Sequence, residues 1–483
     1  MSTAIIWLRR DLRLTDNPAL DAALNAGHTP VLLYIHDAAE NSWSAGSACR
    51  WWLHHSLVSL QTSVRKLGSE LYLLQGSPSK VLPQLVAQLK APAVYWNRCY
   101  ENSERNRDTA IKKALQDSGI EVNSFNGSLL LEPWQNLKKD RTPYRVFTAF
   151  WNALKTRMGD GLPLPAPDSL PDLPDPLRIE SLAVEELALL PAINWDSGLY
   201  RHWEAGEAAA QRQLQDFVEE RLATYPRQRD YPADTGTSRL SPHLHFGEIS
   251  PRQVWFYLRE QSALHSAVEK SADSYLRQLA WRDFAYQLIY HFPDTVEQPL
   301  DPRYTAFPWR QDYAEDLERW QRGNTGIPIV DAGMRELWTT GWMHNRVRMI
   351  VASLLCKNLL IPWQQGARWF WDTLVDADLA NNTMGWHWIA GSGADAAPYF
   401  RVFNPVLQGK KFDAQGDYVR NWIPELSQLP AKWIHEPWQA PAEVLVDAGC
   451  KLGVDYPLPI VDLANSRLRA LEAWEIVKSA QRD

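Results

Sequence analysis

Five short apolar runs punctuate the first 130 residues: AIIWL (4–8), PVLLYIH (30–36), ELYLLQG (70–76), AVYWN (93–97) and EVNSFN (121–126). Between them lie stretches such as LHHSLVSLQTSVRKLG and RNRDTAIKKALQDSG, whose apolar positions recur at a helical period. Near-continuous apolar runs of this length suit strands buried on both faces. Their alternation with helices predicts an α/β unit built on a parallel sheet. No GxGxxG and no GxxxxGKS/T follows any of these strands, so neither a dinucleotide fingerprint nor a P-loop is supported.

The pattern then changes. GLPLPAPDSLPDLPDPLRIE (161–180) is proline-rich, and fixed φ together with the restriction on pre-proline residues keeps it out of helices. From about residue 200 onward the apolar positions are helical in period, as in SADSYLRQLAWRDFAYQLIYHF, DAGMRELWTTG and NRVRMIVASLLCKNLL. Ser271 and Asp331 are expected as N-terminal caps. The expected organisation is an α/β domain over 1–130, a linker over 131–199 and a helical domain over 200–483.

Composition narrows the class. A formal net charge of -7 argues against indiscriminate coating of nucleic acid while leaving room for a local basic groove. The four cysteines lie far apart with no CxxC pair, which speaks against a disulfide scaffold or a thiolate metal site and fits a reducing compartment. The opening MSTAIIWLRRDLRL turns charged after five apolar residues, so it is expected to be neither signal peptide nor membrane anchor, and a cytoplasmic protein is expected. Tryptophan is the outlier at 24 of 483 residues. Each indole needs a partner for its N–H, and a core rich in Trp competes with rings used to stack on a ligand.

Polar residues cluster in the helical part. In TGWMHNRVRMIVASLL (340–355), residues four apart put Asn345 with Met349 and His344 with Arg348. Arg348 beside an apolar run wants a carboxylate, which Asp376 or Asp378 could supply, and a purely structural ion pair would look the same. Around Gly236, the hydroxyls of Thr235, Thr237, Ser238 and Ser241 accompany a turn that suits phosphate oxygens or a simple helix cap. Gln278, Trp281 and Arg282 are spaced three and four apart and would share one helix face.

Read together, WLRRDLRLTDNPAL (7–20), GTSRLSPHL (236–244), WRDF (281–284), GNTGIPIVDAGMRELWTTGWMHNRVRM (323–349), DADLANN…GWHW (376–388) and FNPVLQGKKFD (403–413) resemble the photolyase/cryptochrome family over essentially the whole chain. The later portion looks most like the plant-cryptochrome-like (class III) bacterial photolyases. The resemblance implies FAD in a U shape within the helical domain. It assigns Tyr225, Thr237, Ser238, Leu240 and Ser241 to the phosphates and adjoining chain, and Arg348, Asp376 and Asp378 to the neighbourhood of the isoalloxazine. Asn382 would face flavin N5. Trp386, Trp363 and Trp309 match the family's electron-carrying tryptophans. Asn345 and Met349 match the amide and thioether that meet a pyrimidine dimer, with Trp281 and Trp388 as stacking walls. Arg282, Arg346, Arg401 and Lys410 are expected on a phosphate-facing rim. No metal is implied. The partner is UV-damaged DNA, and a monomer is expected.

One position departs. Gln278 stands where enzymes acting on cyclobutane dimers carry glutamate; an amide donates hydrogen bonds but holds no titratable proton. The (6-4) photolyases share the glutamine, yet they have a His-His pair where this chain has His344-Asn345. Plant cryptochromes carry HDR, a valine and an N5-facing aspartate where this chain keeps Asn345, Met349 and Asn382. Cyclobutane-dimer repair is therefore expected, with a photoreceptor as the alternative and (6-4) repair behind both. AWEIVKSAQRD follows soon after the shared motifs, so a long signalling tail is not expected. For an antenna, Trp51, His54 and Glu104 resemble a methenyltetrahydrofolate pocket, although Ser103 replaces the asparagine that precedes the glutamate in the family. That change leaves open a different folate pose, a deazaflavin or an empty antenna domain, and packing of the Trp51-Trp52 pair on the sheet would account for those residues equally well.

Overall fold

The computed structural model describes residues 2–37, 43–173, 177, 179–395 and 401–480. It forms two compact units, Met1–Ala223 with Ser238–Pro293 and Val375–Ala380, and Thr224–Thr237 with Asp294–Leu374 and Asn381–Asp483.

In the first unit, β1 (Thr3–Leu8), β2 (Thr29–His36), β3 (Leu71–Gln75), β4 (Ala93–Asn97) and β5 (Glu121–Phe125) pair in parallel in the order β3-β2-β1-β4-β5. Every strand lies within one residue of the apolar run that predicted it. Helices α1 (Pro18–Asn25), α2 (Ser47–Lys66), α3 (Pro78–Leu89) and α4 (Asn102–Asp117) make the crossovers. Covered on both faces, β1 and β4 are buried throughout Ile5–Leu8 and Ala93–Asn97. The strand order reverses between β1 and β4, so the crevice beyond their carboxyl ends is the switch point of the sheet. Helix α5 (Phe147–Arg157) and the long Glu269–His291 helix complete the parts of this unit that matter for the site.

The second unit is helical, with helices at Pro328–Thr340, Asn345–Ser353, Trp363–Thr373 and Pro405–Phe412; most of the Leu379–Ala390 helix belongs to it as well. A parallel-sheet domain and a large helical domain are thus both present, as expected.

Two expected caps are not caps. The Glu269–His291 helix starts two residues before Ser271, whose hydroxyl donates to Ala223 O. Asp331 is the fourth residue of its helix, because Pro328 supplies the pre-set φ that opens it. The Asp331 carboxylate instead reaches back to accept the N–H groups of Thr325 and Gly326 and the hydroxyl of Tyr456, stapling the preceding loop. No helix among the described residues is long and apolar enough to cross a membrane.

Candidate functional site

The Glu269–His291 helix brings Trp281 face to face with Phe147 of α5, ring centroids 3.7 Å apart and planes within 7°. One face of the indole is thereby fixed on a buried phenyl ring. Gln278 lies half-buried one turn earlier. Arg282 does not share the expected rim. It is buried, 8% exposed, and its guanidinium donates to the main-chain carbonyls of Ser128 and Leu244. Those buried carbonyls need donors, so two of the five guanidinium N–H groups are turned inward and the buried side chain stands off a phosphate-facing surface.

Further along the same helix, Tyr286 donates its hydroxyl to Asp378, and His245 Nδ1 stands 3.6 Å from that carboxylate, beyond hydrogen-bond reach. Burial raises the Asp378 carboxyl, but His245, Arg282 and Tyr286 together outweigh it and hold the group below the ordinary carboxylate range. Asp378 is thus a buried anion at neutral pH. Asp376 is also buried, at 8% exposure.

Ser238 and Leu240 lie in the turn that follows Gly236. The hydroxyls of Ser238 and Tyr275 are 2.7 Å apart, and Gln213 donates to the Ser238 carbonyl. Arg239 takes the left-handed φ of 55°, and Leu240 follows in the right-handed region at φ -81°, ψ -2°. That change of hand is the backbone form of an anion-binding turn, and within it the Leu240 N–H donates to Ser238 Oγ at 3.3 Å. Ser241 is exposed at the head of its short helix, and Thr237 is half-buried. Tyr225 is buried beneath the Arg229 guanidinium, 5.3 Å from the ring centroid, and burial pushes its phenol up to about 12.

In the helical unit, His344 caps the Asn345–Ser353 helix by accepting the Arg346 N–H at 3.1 Å, and burial lowers its imidazole to about 4. The cap presents Asn345 at the surface with its amide nitrogen 3.9 Å from the Met349 sulfur, so the expected shared face is formed. Beside it runs a groove lined by Arg227, Tyr231, Arg346, Arg401, Phe403, Gln408, Lys411 and Phe412, with Asp230 as its one acid. Asp230 pairs with Arg346 at 2.8 Å while the guanidinium lies over Phe412. Lys410 is not part of the lining. Its ammonium is turned to Glu436, and the next residue around the helix, Lys411, takes the groove position. Sequence reading missed Arg227 and Lys411, although GKKF offered both lysines and only the helix phase separates them. Arg348 donates through Nε to Met343 O.

Asn382 donates its Nδ2 to Ala367 O at 3.0 Å, which fixes the amide and leaves Oδ1 as a free-standing acceptor. Trp386 is buried against Phe370 and Trp320 and lies directly on Gly366, where a Cβ would come within 2.0 Å of the indole. Gly366 is three residues along the helix that Trp363 begins. Trp363 is buried against His387; Trp309 is half-buried against Phe307; Trp388 is half-buried.

Trp51 and His54 lie on α2. The Trp51 indole is 1% exposed, edge-on to His55 and Tyr200 at 4.4 and 5.1 Å. Trp51 Nε1, His54 Nδ1 and His55 Nε2 are each buried without a protein hydrogen-bond partner, which is costly to leave so. Glu104 accepts from Arg10 Nη2 on both carboxylate oxygens at 3.0 Å. Among the described residues, no group of three or more His, Cys, Asp or Glu could hold a metal ion.

The family model "DNA photolyase" matches residues 4–168 and "FAD binding domain of DNA photolyase" residues 275–476. The chain belongs to the photolyase/cryptochrome family. It is 46% identical to a deoxyribodipyrimidine photo-lyase of Agrobacterium fabrum over 98% of both chains, and 40% identical to cryptochrome-2 of Arabidopsis thaliana over 99% of this chain and 79% of that one. Among solved structures, a class III photolyase from Agrobacterium tumefaciens matches with a TM-score of 0.95 at 45% identity, covering 99% of this chain and 98% of the other. A Synechocystis cryptochrome matches at 0.90 and 32%, covering 98% and 99%.

Proposed function

We propose that this protein splits cyclobutane pyrimidine dimers in DNA, driven by blue light and dependent on FAD. The observation that carries the reading is the Asn345–Met349 pair beside a groove with four cationic side chains, Arg227, Arg346, Arg401 and Lys411. The cations suit backbone phosphates, and the aromatic side chains among them suit bases or sugars. A dimer is poorly stacked in its duplex, which lowers the cost of turning it out.

The residues fit FAD. The turn at Arg239–Leu240 suits its phosphates, with Tyr225, Thr237, Ser238 and Ser241 as further contacts, and Asn382 has an anchored amide with an acceptor oxygen to spare. Arg348, Asp376 and Asp378 would serve the isoalloxazine end. Bound there, FAD supplies light-driven one-electron donation and recovery. The chain's part is to bind and orient. Asn345 donates its amide to a dimer carbonyl as negative charge grows there, Met349 packs beside it, and Trp281, held by Phe147, stacks with Trp388 on the bases. Gln278 can donate two further N–H bonds and holds no proton to transfer. Trp386, Trp363 and Trp309 would carry electrons inward to recharge the cofactor. For an antenna, Trp51 and His54, with His55, would hold methenyltetrahydrofolate, since folate brings polar ring atoms to three buried, unsatisfied nitrogens.

The second reading is a blue-light receptor that retains this pocket, favoured by Gln278. Illuminating the reduced holoprotein with an oligonucleotide bearing one thymine dimer separates the two. Restored thymine in the light and none in the dark supports repair; a strand that binds and keeps its dimer favours the receptor.

A further inference from the structure

His387 packs its ring against the indole of Trp363, centroids 4.6 Å apart, and both side chains are 3% exposed. Both imidazole nitrogens are engaged. Nε2 is 2.7 Å from the carbonyl oxygen of Thr295, and Nδ1 is 2.8 Å from the hydroxyl of Ser392. A carbonyl only accepts, so Nε2 carries the hydrogen. Burial holds the imidazole down to about 4, so at neutral pH Nδ1 accepts from Ser392. The turn is built for this. The N–H groups of Gly391 and Ser392 both donate to His387 O, and a Cβ on Gly393 would come within 2.9 Å of the His387 Cβ.

Histidine is the side chain most able to become a cation near neutral pH, and a cation beside an indole opposes the positive charge that oxidation places on that ring. We propose that His387 is a positioning residue for the tryptophan relay: its neutral imidazole, locked between Thr295 and Ser392, fixes the Trp363 ring and keeps positive charge away from it while that ring is oxidised. The inference rests on the relay described under Proposed function. One electron leaves Trp363 for oxidised Trp386, Trp363 becomes a radical cation, and one electron from Trp309 restores it; an external thiol in turn refills Trp309. No proton passes to His387, because its lone pair is occupied by the Ser392 hydroxyl.

Three variants and one spectrum test this. The rate of light-driven FAD reduction with dithiothreitol is compared in wild type, W363F, H387Q and H387K, each checked for bound FAD. H387Q keeps a neutral amide that can donate to Thr295 O and is expected within about threefold of wild type, whereas H387K is expected to be slower by about tenfold or more. H387K at the wild-type rate, or H387Q as slow as H387K, overturns the proposal. W363F at the wild-type rate instead overturns the relay reading itself, and the proposal with it. Imidazole nitrogen NMR of the wild-type protein in the dark needs neither turnover nor a variant that folds. A neutral Nε2–H tautomer at pH 7 is expected, and an imidazolium there overturns the proposal.

Discussion

The amide nitrogen of Asn345 lies 3.9 Å from the sulfur of Met349, one helical turn away on a helix that His344 caps. The pair forms a polar and a polarisable contact side by side at an exposed position, where neither is needed for the core. Asn345→Ala should therefore leave the unfolding midpoint unchanged. Loss of a hydrogen bond to a carbonyl gaining charge is worth about 1–3 kcal/mol, or about 5- to 150-fold in kcat/KM for light-driven repair. Steady-state assays on a dimer-bearing strand read this directly.

The groove makes a prediction about salt. Arg227→Ala and Lys411→Ala should each weaken binding to dimer-bearing DNA and lower the slope of log K against log salt by about 0.9. Lys410→Ala, whose ammonium is turned to Glu436, should leave the slope unchanged. Binding titrations at several salt concentrations separate the two neighbouring lysines.

Gly366 should tolerate no side chain. A Cβ there meets the Trp386 ring at 2.0 Å, in a buried contact with little room to give. Gly366→Ala is expected to cost about 1–3 kcal/mol by overpacking, read as a lower unfolding midpoint, and to slow light-driven FAD reduction by displacing Trp386.

His344 links stability to pH. Its imidazole falls from the ordinary 6.5 to about 4 on folding, so between those values the unfolded chain binds the extra proton. Its contribution is fully present above pH 6.5 and is lost as pH falls toward 4, worth about 3 kcal/mol in all. Urea unfolding of wild type and His344→Gln at pH 7 and pH 5 should give a smaller drop for the variant.

The α2 cluster predicts which residues answer to folate. Trp51→Ala and His54→Ala should abolish uptake of methenyltetrahydrofolate, followed by its near-ultraviolet absorbance. Glu104→Gln, whose parent carboxylate is committed to Arg10, should bind it as wild type does.

The strands were legible because a parallel sheet covered on both faces demands unbroken apolar runs, and each run marks its own strand. Helix α3 was not, since Pro83 sits inside it and reads as a breaker, and α1 is only two turns long. Residue pairs within one helix, such as Asn345 with Met349, follow from spacing alone. Which way a cation points does not. Arg282 turned inward to main-chain carbonyls from β5's outgoing segment and a distant helix, and Lys410 and Lys411 exchanged roles through a phase of one residue. The contacts of Trp281 with Phe147 and of Trp363 with His387 join residues 134 and 24 positions apart, beyond any local pattern.

The central claim is repair of the dimer itself, and a single-flash experiment tests it most directly. The reduced holoprotein is mixed with a saturating dimer-bearing oligonucleotide, given one blue flash, and followed in the thymine absorption band. Repair predicts a rise in thymine absorbance after the flash that is absent without dimer and strongly reduced in Asn345→Ala. A bound, excited complex whose thymine band never recovers would contradict it.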